Sequence, residues 1–169
     1  EAVVLVESDE AVNGPIEIKV LVEFRHSDPG ADVIVSNSSS DCIQSEYFWV
    51  APEFHMPWVG GYEGDFLINK DNASGEFVRF RPNLLKGRYR VELFGPAYTQ
   101  EILLAKTEHF YVRVKHERGV EMIRVEPSKS LVIGTFSFPR GRECYLEVIS
   151  DNSAGMILID AVRFSQVEG

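Results

Sequence analysis

The stretch FWVAPEFHMPWVGGYEGDF, Phe48 to Phe66, crowds aromatic rings among prolines and glycines, and neither a helical nor a strand period organises them. Phe54, His55 and Trp58 stand in its middle, braced by Pro52 and Pro57, and Tyr62 follows in a Gly-Tyr-x-Gly segment. Rings held outward on a proline-stiffened loop suit sugar recognition. An indole or phenol face takes the C–H side of a sugar ring while nearby polar groups take its hydroxyls. Phe54, His55, Trp58 and Tyr62 are therefore the candidate ligand contacts. The bland reading is a loop folded onto its own sheet. Trp49 reads as a structural core residue, and Tyr62 and Phe66 also suit packing or a turn.

Asp160 raises a second question. In MILIDAVRF, period two places Met156, Leu158, Asp160, Val162 and Phe164 on one face. A carboxylate buried there needs an arginine, backbone N–H groups or a calcium ion. No D-x-D-x-D run supplies the six to eight or so oxygens that calcium takes. Asp160 is therefore expected to be structural and hydrogen-bonded rather than a calcium ligand, and no cofactor is expected. The metal status stays open. Cys42 and Cys144 would close a long loop if they paired, and sequence leaves the pairing open. Two cysteines are too few for a usual zinc site, and the four histidines show no H-x-x-x-H spacing.

Catalytic signals are thin. There is no G-x-S-x-G, no Gly-rich phosphate loop and no H-E-x-x-H. Acidic pairs such as Glu63/Asp65 occur, and His55 or Tyr62 near an arginine would be the base of a polysaccharide lyase. No spacing fixes such a geometry, so the chain is read as a non-enzyme.

The elements that must position these residues are strands. In IEIKVLVEF, Ile16, Ile18, Val20, Val22 and Phe24 share one face. RYRVELF sets Tyr89, Val91 and Leu93 opposite Arg88, Arg90 and Glu92, and HFYVRVKH sets Phe110, Val112 and Val114 opposite Tyr111, Arg113 and Lys115. Further strand-like runs are VVLVE, DVIVS, EFVRF, MIRVE, LVIGTFSF, CYLEVIS and MILIDAVRF, separated by turns such as Asn13-Gly14-Pro15 and Lys86-Gly87. Alternation of this kind belongs to half-buried antiparallel sheets. The expected class is all-β, an antiparallel sandwich or barrel. TQEILLAKTE, Thr99 to Glu108, is the one helical candidate, a turn or two at most. Residues 1–30 read as N-terminal strands, part of the same sandwich or of a neighbouring module, and 31–169 as the main domain.

Composition excludes some partners. The 169 residues carry a formal charge of −9, which argues against a nucleic-acid backbone or an anionic membrane surface. No apolar run approaches the ~18 residues of a membrane span. Arg79, Arg81, Arg88 and Arg90 form a local basic run, read first as a solvated sheet face. An acidic polysaccharide is the sharper alternative, because guanidinium forks match carboxylates and sulfates.

From Asp32 onward the order of motifs resembles the golvesin C-terminal-like domain family. The pieces are DVIVSN, Trp49, GGYEGDFL, KGRYRVELFGP, FYVRVKHERG, IGTFSFPRG and ILIDAVRF, of which Asp160 to Phe164 is the most specific. Two departures stand out. Glu126, Pro127 and Leu131 occupy a region where the family often has Gln and Trp, and VAPEFHMPW lengthens the loop after Trp49. The resemblance implies a jelly-roll-like sandwich on a bacterial secreted, periplasmic or cell-surface polysaccharide-degrading protein such as a xanthan lyase. The expected role is a non-catalytic carbohydrate-binding accessory module. Its partners would be a polysaccharide or oligosaccharide and a parent catalytic domain. The rivals are a structural module packed on its parent enzyme without sugar binding, and a lyase or glycoside hydrolase domain.

Overall fold

The computed structural model describes residues 2–6, 16–20, 30–46, 48–52, 65–69, 75–94, 107–126, 131–155 and 157–167. Every paired strand among them is antiparallel. β1 (Ala2–Val6) and β2 (Ile16–Val20) pair with each other, Ala2 opposite Val20. The chain continues through β3 (Val33–Ser36), β4 (Cys42–Gln44), β5 (Trp49–Pro52), β6 (Asp65–Asn69), β7 (Phe77–Phe80) and β8 (Gly87–Phe94). It ends with β9 (Thr107–His116), β10 (Gly119–Val125), β11 (Val132–Phe138), β12 (Tyr145–Gly155), β13 (Ile157–Ile159) and β14 (Ala161–Val167). No helix occurs among the described residues. Most of the helical candidate lies outside them, and its last two residues, Thr107 and Glu108, begin β9.

A five-stranded sheet runs β10-β9-β12-β7-β4, a four-stranded sheet β11-β8-β14-β3, and a three-stranded sheet β13-β6-β5. The pairs β3–β14, β7–β12, β8–β11 and β9–β10 are nested, as in one long hairpin. The contacts β14–β8 and β12–β9 then wrap that hairpin into two sheets. This is the jelly-roll arrangement of an antiparallel β-sandwich, as expected, with β4 added at one edge and the three-stranded sheet as a further unit.

Alternation builds the core. Val78, Phe80, Val112, Val114, Leu146 and Val148 of the five-stranded sheet are fully buried in one cluster with Tyr89, Val91, Phe138, Val162 and Phe164 of the four-stranded sheet. Each such side chain contributes about 1.5–3 kcal/mol by leaving water. β11 interrupts its alternation. The register slips between Val132 and Gly134, so Ile133 and Phe136 both face inward. Gly134 is required there, because a Cβ at that position would sit 2.9 Å from Phe136 Cζ.

The last run departs from simple period two. Ile157 and Ile159 are buried and Leu158 is not, whereas Val162 and Phe164 are buried after it. The parity changes at Asp160, which belongs to neither strand. It is the joint where the chain passes from the three-stranded to the four-stranded sheet, so Leu158 and Val162 do not share a face. The joint is fixed through its backbone: Asp160 N–H donates to the Phe94 carbonyl at 3.1 Å, and its own carbonyl accepts from Asn37 N–H at 2.8 Å.

Cys42 and Cys144 are both free thiols. Burial pushes the Cys42 thiol up to about 12. It pushes Cys144 up as well, against the pull of Lys115. The unfolded Cys42 thiol ionises near 9.0, while the folded one stays neutral until about 12. Its contribution to stability is therefore complete below the unfolded value and is lost as pH rises through that window. Urea titrations at stepped alkaline pH should show a shallower decline for Cys42→Ala than for the wild type. Equal slopes would mean that the thiol is solvated.

Candidate functional site

The sequence-predicted contacts Phe54, His55, Trp58 and Tyr62 lie outside the described residues. Trp49 opens β5 opposite Ile68, and its side chain is likewise outside the description. The ends of the aromatic stretch are core: Phe48 is 1% exposed and Phe66 is fully buried. Asp160 is 1% exposed at the joint between sheets, away from any surface. Among the described residues no cluster of three or more His, Cys, Asp or Glu side chains is placed to hold a metal ion.

The chemistry that the structure does assemble is on the outer face of the five-stranded sheet. Glu147 occupies β12, the central strand, and alternation turns it away from the core. In register beside it stand Arg79 on β7 and Arg113 on β9. Arg79 donates from Nε at 2.7 Å and approaches with Nη2 at 2.5 Å, both to Glu147 Oε2. Arg113 Nη1 donates to Oε1 at 2.8 Å. The carboxylate side chain is 2% exposed, while the arginines keep 33% and 37% of their surface in water. Glu147 therefore acts as a buried anchor that orients two solvent-facing guanidinium groups.

Aromatic rings hold the same groups from the sides. The Arg79 guanidinium carbon lies 4.5 Å from the Tyr145 ring centre and 5.2 Å from that of Phe77, both within cation–π range. Tyr111 shares this outer face in the next row and meets His109 edge-on, ring centres 5.7 Å apart. Lys115 lies opposite Tyr145, and Arg124 opposite Tyr111. The exposed apolar side chains Ile43, Val120 and Met122 belong to this face too, at its two edge strands β4 and β10.

The basic run of the sequence does not form one patch. Arg79 faces out from the five-stranded sheet, and Arg88 and Arg90 face out from the four-stranded sheet on the other side of the core. On that second face Arg163 donates to Glu92 at 2.5 Å and stacks 4.9 Å over Phe94, and the bond to Glu92 holds its guanidinium above its ordinary value.

A cleft of about 740 Å³ opens between the edge strands β10 and β11. Arg88, His116, Arg118, Glu121 and Thr135 give it polar lining, and Ile123, Ile133 and Phe136 apolar lining. His116 Nε2 is 3.5 Å from Glu121 Oε2, and the imidazole packs 5.3 Å from the Phe136 ring.

Sequence reading missed Glu147 and Arg113 as a pair. In CYLEVIS the alternation marks Glu147 as outward, and outward normally means solvated. Only the cross-strand register, which period two does not supply, reveals arginines on both flanks.

No family model matches the chain, and no curated protein matches it. Solved structures supply the likeness. A Paenibacillus xanthan lyase matches 82% of this chain with a TM-score of 0.69 and 22% identity, and the match spans 13% of the lyase chain. The catalytic domain of a GH87 α-1,3-glucanase in complex with nigerose matches the same 82%, and 28% of its own chain, at 15% identity and a TM-score of 0.48. At such identities the likeness to the lyase shows a shared fold alone. The chain is thus an antiparallel jelly-roll sandwich, similar in fold to a small part of a polysaccharide lyase.

Proposed function

We propose that the chain is a non-catalytic carbohydrate-binding accessory module, of the golvesin C-terminal-like kind, in a secreted polysaccharide-degrading protein. The observation that carries this reading is the outer face of the five-stranded sheet. Arginines pre-oriented by Glu147 stand there among the rings of Phe77, Tyr111 and Tyr145. Such a surface offers hydrogen-bond donors for hydroxyls or carboxylates beside apolar ring edges. The fold shared with one part of a xanthan lyase supports the accessory position.

A panel of neutral and acidic polysaccharides in affinity gels tests the proposal. Retardation without new reducing ends or unsaturated products is the expected result. Product formation would make the chain an enzyme. The sequence-derived loop is tested separately. Trp58→Ala should melt as the wild type does and lose about 2 kcal/mol or more of glycan affinity if that ring is an anchor. A folded variant with unchanged affinity would remove the loop from the site.

A second reading has its own observation. Ile43, at 41% exposure, and Val120 and Met122, at 56% and 52%, border the same face. Apolar side chains at both edges also suit a module packed against its parent enzyme. Silence across the glycan panel favours that reading.

A further inference from the structure

We infer that the outer face of the five-stranded sheet binds the carboxylates of an acidic polysaccharide, an inference that rests on the carbohydrate-binding reading and narrows it. The chain as a whole is strongly acidic, at −9. This face is the reverse. Along its strands it presents Arg79, Arg113, Lys115 and Arg124 against Glu147 and, further along β12, Asp151, which accepts from Gly75 N–H at 2.7 Å; Glu126 follows the end of β10. Arg124 is paired with Glu126. Glu147 lies below the surface, so its charge orients the arginines without meeting a ligand. Lys115, half-buried in the next row, makes no ion pair among the described residues. The outward charge is therefore set by Arg79, Arg113 and Lys115.

Their geometry favours a carboxylate over a bare hydroxyl. Arg79 commits Nε and Nη2 to Glu147, and Arg113 commits Nη1, so each retains N–H groups for a ligand. Tyr145 and Phe77 flank the Arg79 guanidinium, which takes up ring surface that a neutral sugar would otherwise stack on. Fixing these side chains before the ligand arrives removes much of the ordering cost of binding. A planar guanidinium pairs a carboxylate through parallel N–H bonds, and a nearly uncharged polymer gains nothing equivalent. Arg79 and Arg113 stand two strands apart, roughly 10 Å between backbones at the usual sheet spacing. Lys115 lies two residues along β9 from Arg113. An extended polymer with carboxylates at intervals spans this row, whereas a single small anion engages only one point of it.

The test compares polygalacturonate with the same polymer after its carboxyls are reduced to primary alcohols, by calorimetry at low and high salt. The wild type should bind polygalacturonate, lose at least about tenfold on carboxyl reduction, and weaken as salt rises. Arg113→Gln leaves Glu147 its Arg79 partner and should melt only about 2–4 °C below the wild type, while Lys115→Gln disturbs no ion pair among the described residues and should keep the wild-type melting temperature. Each should bind polygalacturonate several-fold more weakly or worse, with a shallower salt dependence. Equal binding of the two polymers, or wild-type affinity in both folded variants, overturns the inference. If a neutral glycan is retained and polygalacturonate is not, the inference fails and the carbohydrate-binding reading stands. If no polysaccharide of either kind binds, both fail together.

Discussion

The double variant Arg79→Ala/Arg113→Ala is expected to lose about 3–5 kcal/mol of stability, far more than its two single variants together. Each single variant leaves Glu147 with one guanidinium partner. Because both arginines keep about a third of their surface in water, each single loss should be modest, about 1 kcal/mol. Removing both strands a carboxylate that is only 2% exposed on the central strand of its sheet. That charge has neither water nor a cation to offset its burial. Adding Glu147→Gln to the double variant should restore part of the loss, because a neutral amide costs less to leave in place. Urea denaturation of the four proteins and the triple variant measures the coupling. Strictly additive losses would show that Glu147 reaches water through a rearranged face.

Phe138→Ala should cost about 3–5 kcal/mol by a different mechanism. Phe138 is fully buried on β11. It meets Tyr89 at 6.0 Å, Phe164 at 5.8 Å and Phe136 at 6.3 Å between ring centres, all three steeply inclined to it. Truncation removes the ring's burial and three edge-on contacts together, and leaves a cavity walled by rigid rings that cannot easily collapse. Phe138→Leu refills part of that space and should recover about half of the loss. Thermal or denaturant melts resolve the series. A wild-type midpoint for Phe138→Ala would mean that the two sheets are not locked at this ring.

Much of this architecture could be read from alternation. RYRVELF and HFYVRVKH place their inward and outward residues as the structure does, because a sheet with one wet face forces period two on its sequence. Short elements escaped. Cys42–Gln44 and Trp49–Pro52 are too brief for a period to emerge, and Asp65–Asn69 is buried from Phe66 to Asn69, so it shows no alternation. At Asp160 the pattern ran on through a change of sheet, where parity resets. The Arg79–Glu147–Arg113 row was hidden for another reason. Its members come from strands far apart in sequence, and charge pairing across a sheet depends on register. The aromatic loop drew notice through composition alone, and composition names candidates without placing them.

The nesting of the jelly roll also governs when this protein can become itself. β3, the first strand of the wrapped hairpin, is completed by β14, its last, and β14 also separates β3 from β8. Until β14 has paired, Val91 and Leu93 of β8 belong to an open sheet edge, and Val35 has no neighbouring strand to shelter it. Loop-closure entropy must be met before these distant pairings return anything, which places such topologies among the slow folders, in the millisecond-to-second range. The sandwich is therefore expected to expose an unfinished edge until β14 docks, and to fold as a unit at that step.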